Sequence, residues 1–127
     1  MRNDADILNV NKKIFIKLFL EMNYNNSVIF SIFKRSFINK NKLKFKKGYH
    51  EDILFFFMSF FYSRSRFFLN ENLYIKNNLE NSIVNTFSIN HIDDYMNSWL
   101  DIYNFLKKQY NLNYIRNNYN KSFSRGL

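Results

Sequence analysis

The stretch EDILFFFMSFFYSRSRFFL, Glu51–Leu69, decides how the rest of the chain is read. Glu51 and Asp52 stand where the positive end of a helix dipole favours carboxylates. Ile53–Leu69 is apolar on almost every side of a helical projection, which predicts a central helix buried all round. Arg64 and Arg66 bring positive charge near its end. The most apolar part, Ile53–Ser63, is only 11 residues long, against the roughly 20 that a membrane-spanning helix needs. The longest runs without a charge, Met22–Phe33 and Asn81–Ile92, are 12 residues each and contain several Asn or Ser. No transmembrane segment is expected, although Ile53–Leu69 has the character of a segment that can lie in a membrane interface.

Helical spacing extends to both sides of this centre. A first helix is expected from Asp4 or Asp6, either of which is a good cap, to about Met22, with Ile7, Leu8, Ile14, Phe15, Leu18 and Phe19 on its apolar stripe. Asn23–Asn26 breaks it. Asn26 or Ser27 then caps a second helix striped by Ile29, Phe30, Phe33 and Phe37. Asn39–Gly48 alternates Lys42, Leu43, Lys44, Phe45 and Lys46, a period of two that suits a basic loop or an edge strand. After a turn at Asn70–Asn72, Leu73–Phe87 is ambiguous: Ile75, Leu79, Ile83 and Phe87 recur every four residues, but Asn, Ser and Thr dilute the pattern. The last helix is the clearest. Ser88 or Asn90 caps it, Asp93 and Asp94 fall in its first turn, and Ile92, Tyr95, Met96, Trp99, Tyr103, Leu106 and Tyr110 form one stripe. Lys107 and Lys108 close it on the side its dipole prefers. The expected fold is mainly α: a small bundle of about four helices in a single domain over residues 1–110, with a basic loop and an extended basic C-terminal tail over residues 111–127.

Composition bounds the function. With 127 residues the chain suits one domain, and 16 Phe supply ample core. The formal charge is +9, from 19 Lys and Arg against 10 Asp and Glu, which points to a polyanionic partner: nucleic acid, an anionic membrane surface or an acidic protein. There is no Cys, so disulfides, thiolate catalysis and cysteine zinc sites are excluded. Gly occurs only at positions 48 and 126, too far apart for a phosphate-cradling loop. Two His, His50 beside Glu51 and Asp52 and His91 three residues before Asp94, do not complete a metal site. The adjacent acids Glu51–Asp52 and Asp93–Asp94 point about 100° apart on a helix and are explained by capping and dipole complementarity. No catalytic residue, metal or cofactor is expected, and no small-molecule substrate.

The basic residues carry the functional reading. Lys34, Arg35, Lys40, Lys42, Lys44, Lys46 and Lys47 lie within 14 residues that contain no acid. Clustered cations bind phosphates by releasing condensed counterions, and Phe37, Phe45 and Tyr49 among them suit stacking on unpaired bases. The tail repeats the pattern, with Tyr114, Tyr119 and Phe123 between Arg116, Lys121 and Arg125. Arginine is the more telling cation, because its planar fork grips phosphate with two bonds. Arg35, Arg64, Arg66, Arg116 and Arg125 therefore weigh more than their number. The bland reading of both clusters is a solvated surface rich in lysine because the gene is rich in A and T.

That bias is strong. Phe, Asn, Lys, Ile, Tyr and Met, all specified by AT-dominated codons, make up 77 of the 127 residues; Pro is absent and Ala occurs only at position 5. Asn39–Lys47 (NKNKLKFKK) and Asp52–Tyr62 (DILFFFMSFFY) carry it most plainly. In this the whole chain resembles proteins encoded in AT-rich mitochondrial genomes, ciliate ones in particular. The start, with Arg2 followed by Asn3, Asp4 and Asp6, fits neither a secretory leader nor an acid-poor transit peptide, which suggests synthesis in the mitochondrial matrix. Genomes of this kind mostly keep ribosomal proteins and membrane-spanning respiratory subunits. The resemblance thus implies a non-catalytic structural constituent of the mitochondrial ribosome, with rRNA and neighbouring ribosomal proteins as partners in a large hetero-assembly. The alternative is an accessory subunit of a respiratory-chain complex or ATP synthase.

Overall fold

Asn11 is where the first helix begins, because its side-chain oxygen accepts the Lys13 N–H at 2.9 Å and so satisfies a free donor of the first turn. The computed structural model describes residues 5–7, 11–21, 27–69, 71, 73–75, 77, 88–111, 113 and 116. It is mainly helical. Strand β1 (Ala5–Ile7) is followed by α1 (Lys12–Leu20), a single 3-10 turn at Val28–Phe30, α2 (Arg35–Lys40), α3 (Glu51–Tyr62), β2 (Phe67–Leu69) and α4 (Ile89–Gln109). The two strands form an antiparallel ribbon in which Ala5 faces Leu69, Asp6 faces Phe68 and Ile7 faces Phe67.

Helix α3 lies at the centre and packs on α1, on α4 and on the 3-10 turn. Its residues Ile53, Phe56, Phe57 and Phe61 are buried against Phe15, Ile16, Phe19 and Leu20 of α1 and Trp99, Ile102 and Leu106 of α4. Each such side chain is worth roughly 1.5–3 kcal/mol on burial. The rings also meet in favourable geometries, Phe19 edge-on to Phe57 at 5.0 Å and Phe61 edge-on to Phe105 at 4.9 Å. Ser59 fits this apolar centre because its hydroxyl turns back on its own helix, donating to the Phe55 and Phe56 carbonyls.

Several expectations are corrected. The first helix does not start at Asp4 or Asp6, since Ala5–Ile7 is a strand. Its buried stripe is Phe15, Ile16, Phe19 and Leu20, while Ile14 is 53% exposed. The second helix is broken: Ser31–Lys34 is not helical, and Ile29 and Phe30 are exposed. The central helix ends at Tyr62 instead of Leu69. Ser63 turns extended and its hydroxyl bonds the Phe60 carbonyl, after which Arg66 donates to the Phe60 and Ser63 carbonyls that the helix leaves open. Ser88 is the cap of α4, yet the first turn holds no acid; Asp93 and Asp94 come one turn later. Leu73, Tyr74, Ile75 and Asn77 have no regular structure, and the rest of Leu73–Phe87 lies outside the described residues. Of the C-terminal arm, Asn111, Asn113 and Arg116 are described, the last two with helical backbone.

Candidate nucleic-acid interface

Residues 34–47 begin in α2 (Arg35–Lys40) and from Asn41 return towards α4 as an irregular loop, not a strand. The turn out of α2 is closed by its own backbone. The Asn41 N–H and side-chain amide both donate to the Phe37 carbonyl, at 3.1 and 2.9 Å, and the Leu43 N–H donates to the Ile38 carbonyl at 3.1 Å. Lys42 takes the left-handed conformation that this closure requires, with φ 52°.

Beyond the turn the two apolar side chains of the alternation rest on the fold while the lysines face out, although Phe45 is still 52% exposed. Leu43 is half-buried, and Phe45 lies flat on Phe55 of α3 with ring centres 4.1 Å apart. Lys42, Lys44, Lys46 and Lys47 are exposed, as are Lys34, Arg35 and Lys40 before them.

Two carboxylates of α4 then fix the loop. Lys46 forms an ion pair with Asp101. The Tyr49 N–H donates to Oδ2 of Asp94 at 2.8 Å. Gly48, with φ +127°, lies against the same carboxylate, and a β-carbon there would come within 2.6 Å of Oδ2. Tyr49 stacks on His91 at 3.6 Å, and His91 Nδ1 is 2.8 Å from the Ser88 hydroxyl. The Ser98 hydroxyl reaches the His50 carbonyl at 3.4 Å, so the entry to α3 is tied to α4 as well.

The structure thus divides the expected site. Lys34, Arg35, Lys40, Lys42, Lys44 and Lys47 are exposed cations with no carboxylate partner among the described residues. Lys46 shares its charge with Asp101. Arg64 and Arg116 are exposed. Arg66 is turned inward: beyond its bonds to the end of α3, its guanidinium lies over the Phe15 and Phe60 rings at 5.6 and 5.1 Å. Lys121 and Arg125, with Tyr114, Tyr119 and Phe123, lie outside the described residues. The rings expected to stack on bases are engaged internally, Phe45 by Phe55 and Tyr49 by His91, and Phe37 is half-buried.

Asp94 and Asp101 were not visible as loop anchors in the sequence. One signal was present: they are seven residues apart, which places them on one face of a helix. Among the described residues no three His, Asp or Glu side chains gather where they could hold a metal ion. Two tyrosines have displaced proton affinities. Burial pushes the Tyr95 hydroxyl up, opposed in part by its hydrogen bond with Trp99, and burial alone pushes up Tyr110.

No protein-family model, curated protein or solved structure matches the chain.

Proposed function

We propose that this chain is a non-catalytic structural constituent of the mitochondrial ribosome, working in the matrix and held to rRNA by the Lys34–Lys47 segment. One observation carries the reading: six exposed cations with no carboxylate partner among the described residues run from Lys34 and helix α2 (Arg35, Lys40) into a loop (Lys42, Lys44, Lys47) that is anchored by Asp94, Asp101 and Phe55. An anchored loop presents charge with less ordering cost than a free one, which favours phosphate binding. The AT-driven composition supports the mitochondrial ribosome over other RNA-bound assemblies. Arg64 and the C-terminal arm with Arg116, Lys121 and Arg125 add further phosphate contacts, and neighbouring ribosomal proteins complete the surroundings.

The test is binding of the full chain to structured RNA across a salt series. If four to six phosphates are neutralised, log affinity should fall against log salt with a slope of roughly −3 to −5. A flat slope, or no binding at low salt, refutes the proposal.

A second reading, an accessory subunit of a respiratory complex or ATP synthase, is favoured by one patch. Ile29, Phe30 and Ile32 are 42, 52 and 93% exposed and lie next in sequence to exposed Lys34 and Arg35. Apolar side chains followed by cations suit an anionic membrane surface. No helix among the described residues is long and apolar enough to cross a membrane. Fractionation separates the two readings: a ribosomal subunit sediments with rRNA and is released by salt or ribonuclease, whereas a respiratory subunit follows the detergent-solubilised membrane complex.

A further inference from the structure

Helix α3 is apolar on all sides, but the core uses only part of its circumference. Leu54, Met58 and Tyr62, four residues apart, form a separate stripe; Leu54 and Met58 are half-buried and Tyr62 is 40% exposed. Across from them runs the turn Lys42–Lys44, and between the two lies a groove of about 270 Å³. One wall is hydrocarbon, thioether and aromatic ring. The other includes Lys42 and Lys44, two exposed lysines with no carboxylate partner among the described residues. Asn41 also lines the groove, and its amide nitrogen donates to the Phe37 carbonyl.

We infer that this groove holds one unpaired nucleotide of a single-stranded RNA segment, with the base against Tyr62 and Met58 and the flanking phosphates on Lys42 and Lys44. The volume falls just below the roughly 300–1,000 Å³ of ordinary small-molecule sites, which suits one base better than an extended ligand. Every base offers a π-face to an aromatic side chain whatever its sequence. Tyr62 suits this role because it lines the groove and is 40% exposed: its contacts with Phe61 and Phe105 are edge-on, at 5.5 and 6.1 Å, whereas Phe45 and Tyr49 are stacked on Phe55 and His91. The inference rests on the RNA-binding reading above and adds to it a place where a strand is distinguished from a duplex, since only an unpaired base can enter.

The experiment compares a labelled single-stranded oligouridylate with an RNA duplex of equal length, using the full chain and measuring fluorescence anisotropy over a salt series. Tyr62→Ala should weaken single-strand binding by about 5- to 150-fold and leave duplex binding within about twofold. Tyr62→Phe keeps the ring and should bind like the parent. Replacing Lys42 and Lys44 together by Ala should make the single-strand salt slope shallower by about 1.4, at about 0.7 for each phosphate. An oligonucleotide carrying 4-thiouridine should photocrosslink to peptides containing Asn41–Lys44 or Tyr62. This readout uses the unaltered chain and so does not depend on any variant folding. Far-ultraviolet circular dichroism and the emission of buried Trp99 check that each variant is folded.

Three results count against the inference in different ways. If Tyr62→Ala folds and binds the single strand within twofold of the parent, or if crosslinks map elsewhere, the groove assignment fails while the basic surface stands. If neither RNA binds at low salt, the RNA reading itself fails. If a long-chain fatty acid binds instead, and Tyr62→Ala abolishes that binding, the groove belongs to an anionic amphiphile.

Discussion

Gly48 and Asp94 are matched to each other: the glycine lies so close to the carboxylate that a β-carbon would sit 2.6 Å from Oδ2, and the same oxygen receives the next backbone N–H, that of Tyr49. Gly48→Ala meets both this contact and a φ of +127°, which side chains rarely adopt. A loss of about 1–3 kcal/mol in unfolding free energy is expected by chemical denaturation. In an Asp94→Ala background the steric part of that loss disappears and only the backbone strain remains. A Gly48→Ala chain as stable as the parent contradicts the geometry.

Arg66 and Lys47 should separate stability from binding. Arg66 donates to two main-chain carbonyls at the end of α3 and covers two rings. Arg66→Ala should therefore cost about 1.5–3 kcal/mol of stability and change the RNA salt slope little. Lys47→Ala, at an exposed position, should leave stability within about 0.5 kcal/mol and reduce the slope by about 0.7–0.9. The reverse pattern in denaturation and binding titrations would show that the two roles are exchanged.

Phe57 has no exposed surface and touches both α1 and α4 through its neighbours Phe15, Phe19 and Phe105. Phe57→Ala leaves a cavity at the junction of three helices and should cost about 3–5 kcal/mol. Thermal denaturation followed by circular dichroism measures it. Phe45→Ala, at a ring 52% exposed, should cost clearly less.

Alkaline pH should destabilise the chain through Tyr95 and Tyr110. Both hydroxyls lose protons less readily in the fold than in the unfolded chain, because burial disfavours the phenolate. Their contribution is fully present below the unfolded value, about 10, and is lost as pH rises through the higher folded values. Absorbance of tyrosinate should show a late-titrating fraction that Tyr95→Phe reduces and that Tyr95→Phe together with Tyr110→Phe removes. If all nine tyrosines titrate together near the ordinary value, the burial argument fails.

The parts of the fold legible in the sequence are those where one stripe dominates. In Ile89–Gln109 the aromatic stripe stands against a polar background, and the helix is found where the spacing puts it. In α1 the apolar residues 14, 15, 16, 18, 19 and 20 form two overlapping stripes, and only packing against Phe56, Phe57 and Trp99 selects Phe15, Ile16, Phe19 and Leu20. The strand Ala5–Ile7 continues the helical spacing of α1, so nothing local marks it; its partner is distant in the chain. At the candidate site, the alternation over Lys42–Lys46 told that the lysines turn out, but not that Phe45 stays 52% exposed. It did not tell that Phe45 and Tyr49 already have ring partners, because Phe55 and His91 come near only through tertiary packing.

The ribbon between Ile7 and Phe67 has a kinetic consequence. It joins points separated by about 60 residues, enclosing α1, α2 and α3 between them, and a ribbon of three residues per strand is barely stable by itself. Closing so long a span is entropically unfavourable until the intervening helices have collapsed. Its strands therefore zip together late and part first when the protein breathes, and amide exchange at Ile7 and Phe67 should outpace that at Phe57 in the middle of α3. The amino-terminal end is thus the natural place for unfolding to begin, well away in time from the loss of the aromatic centre.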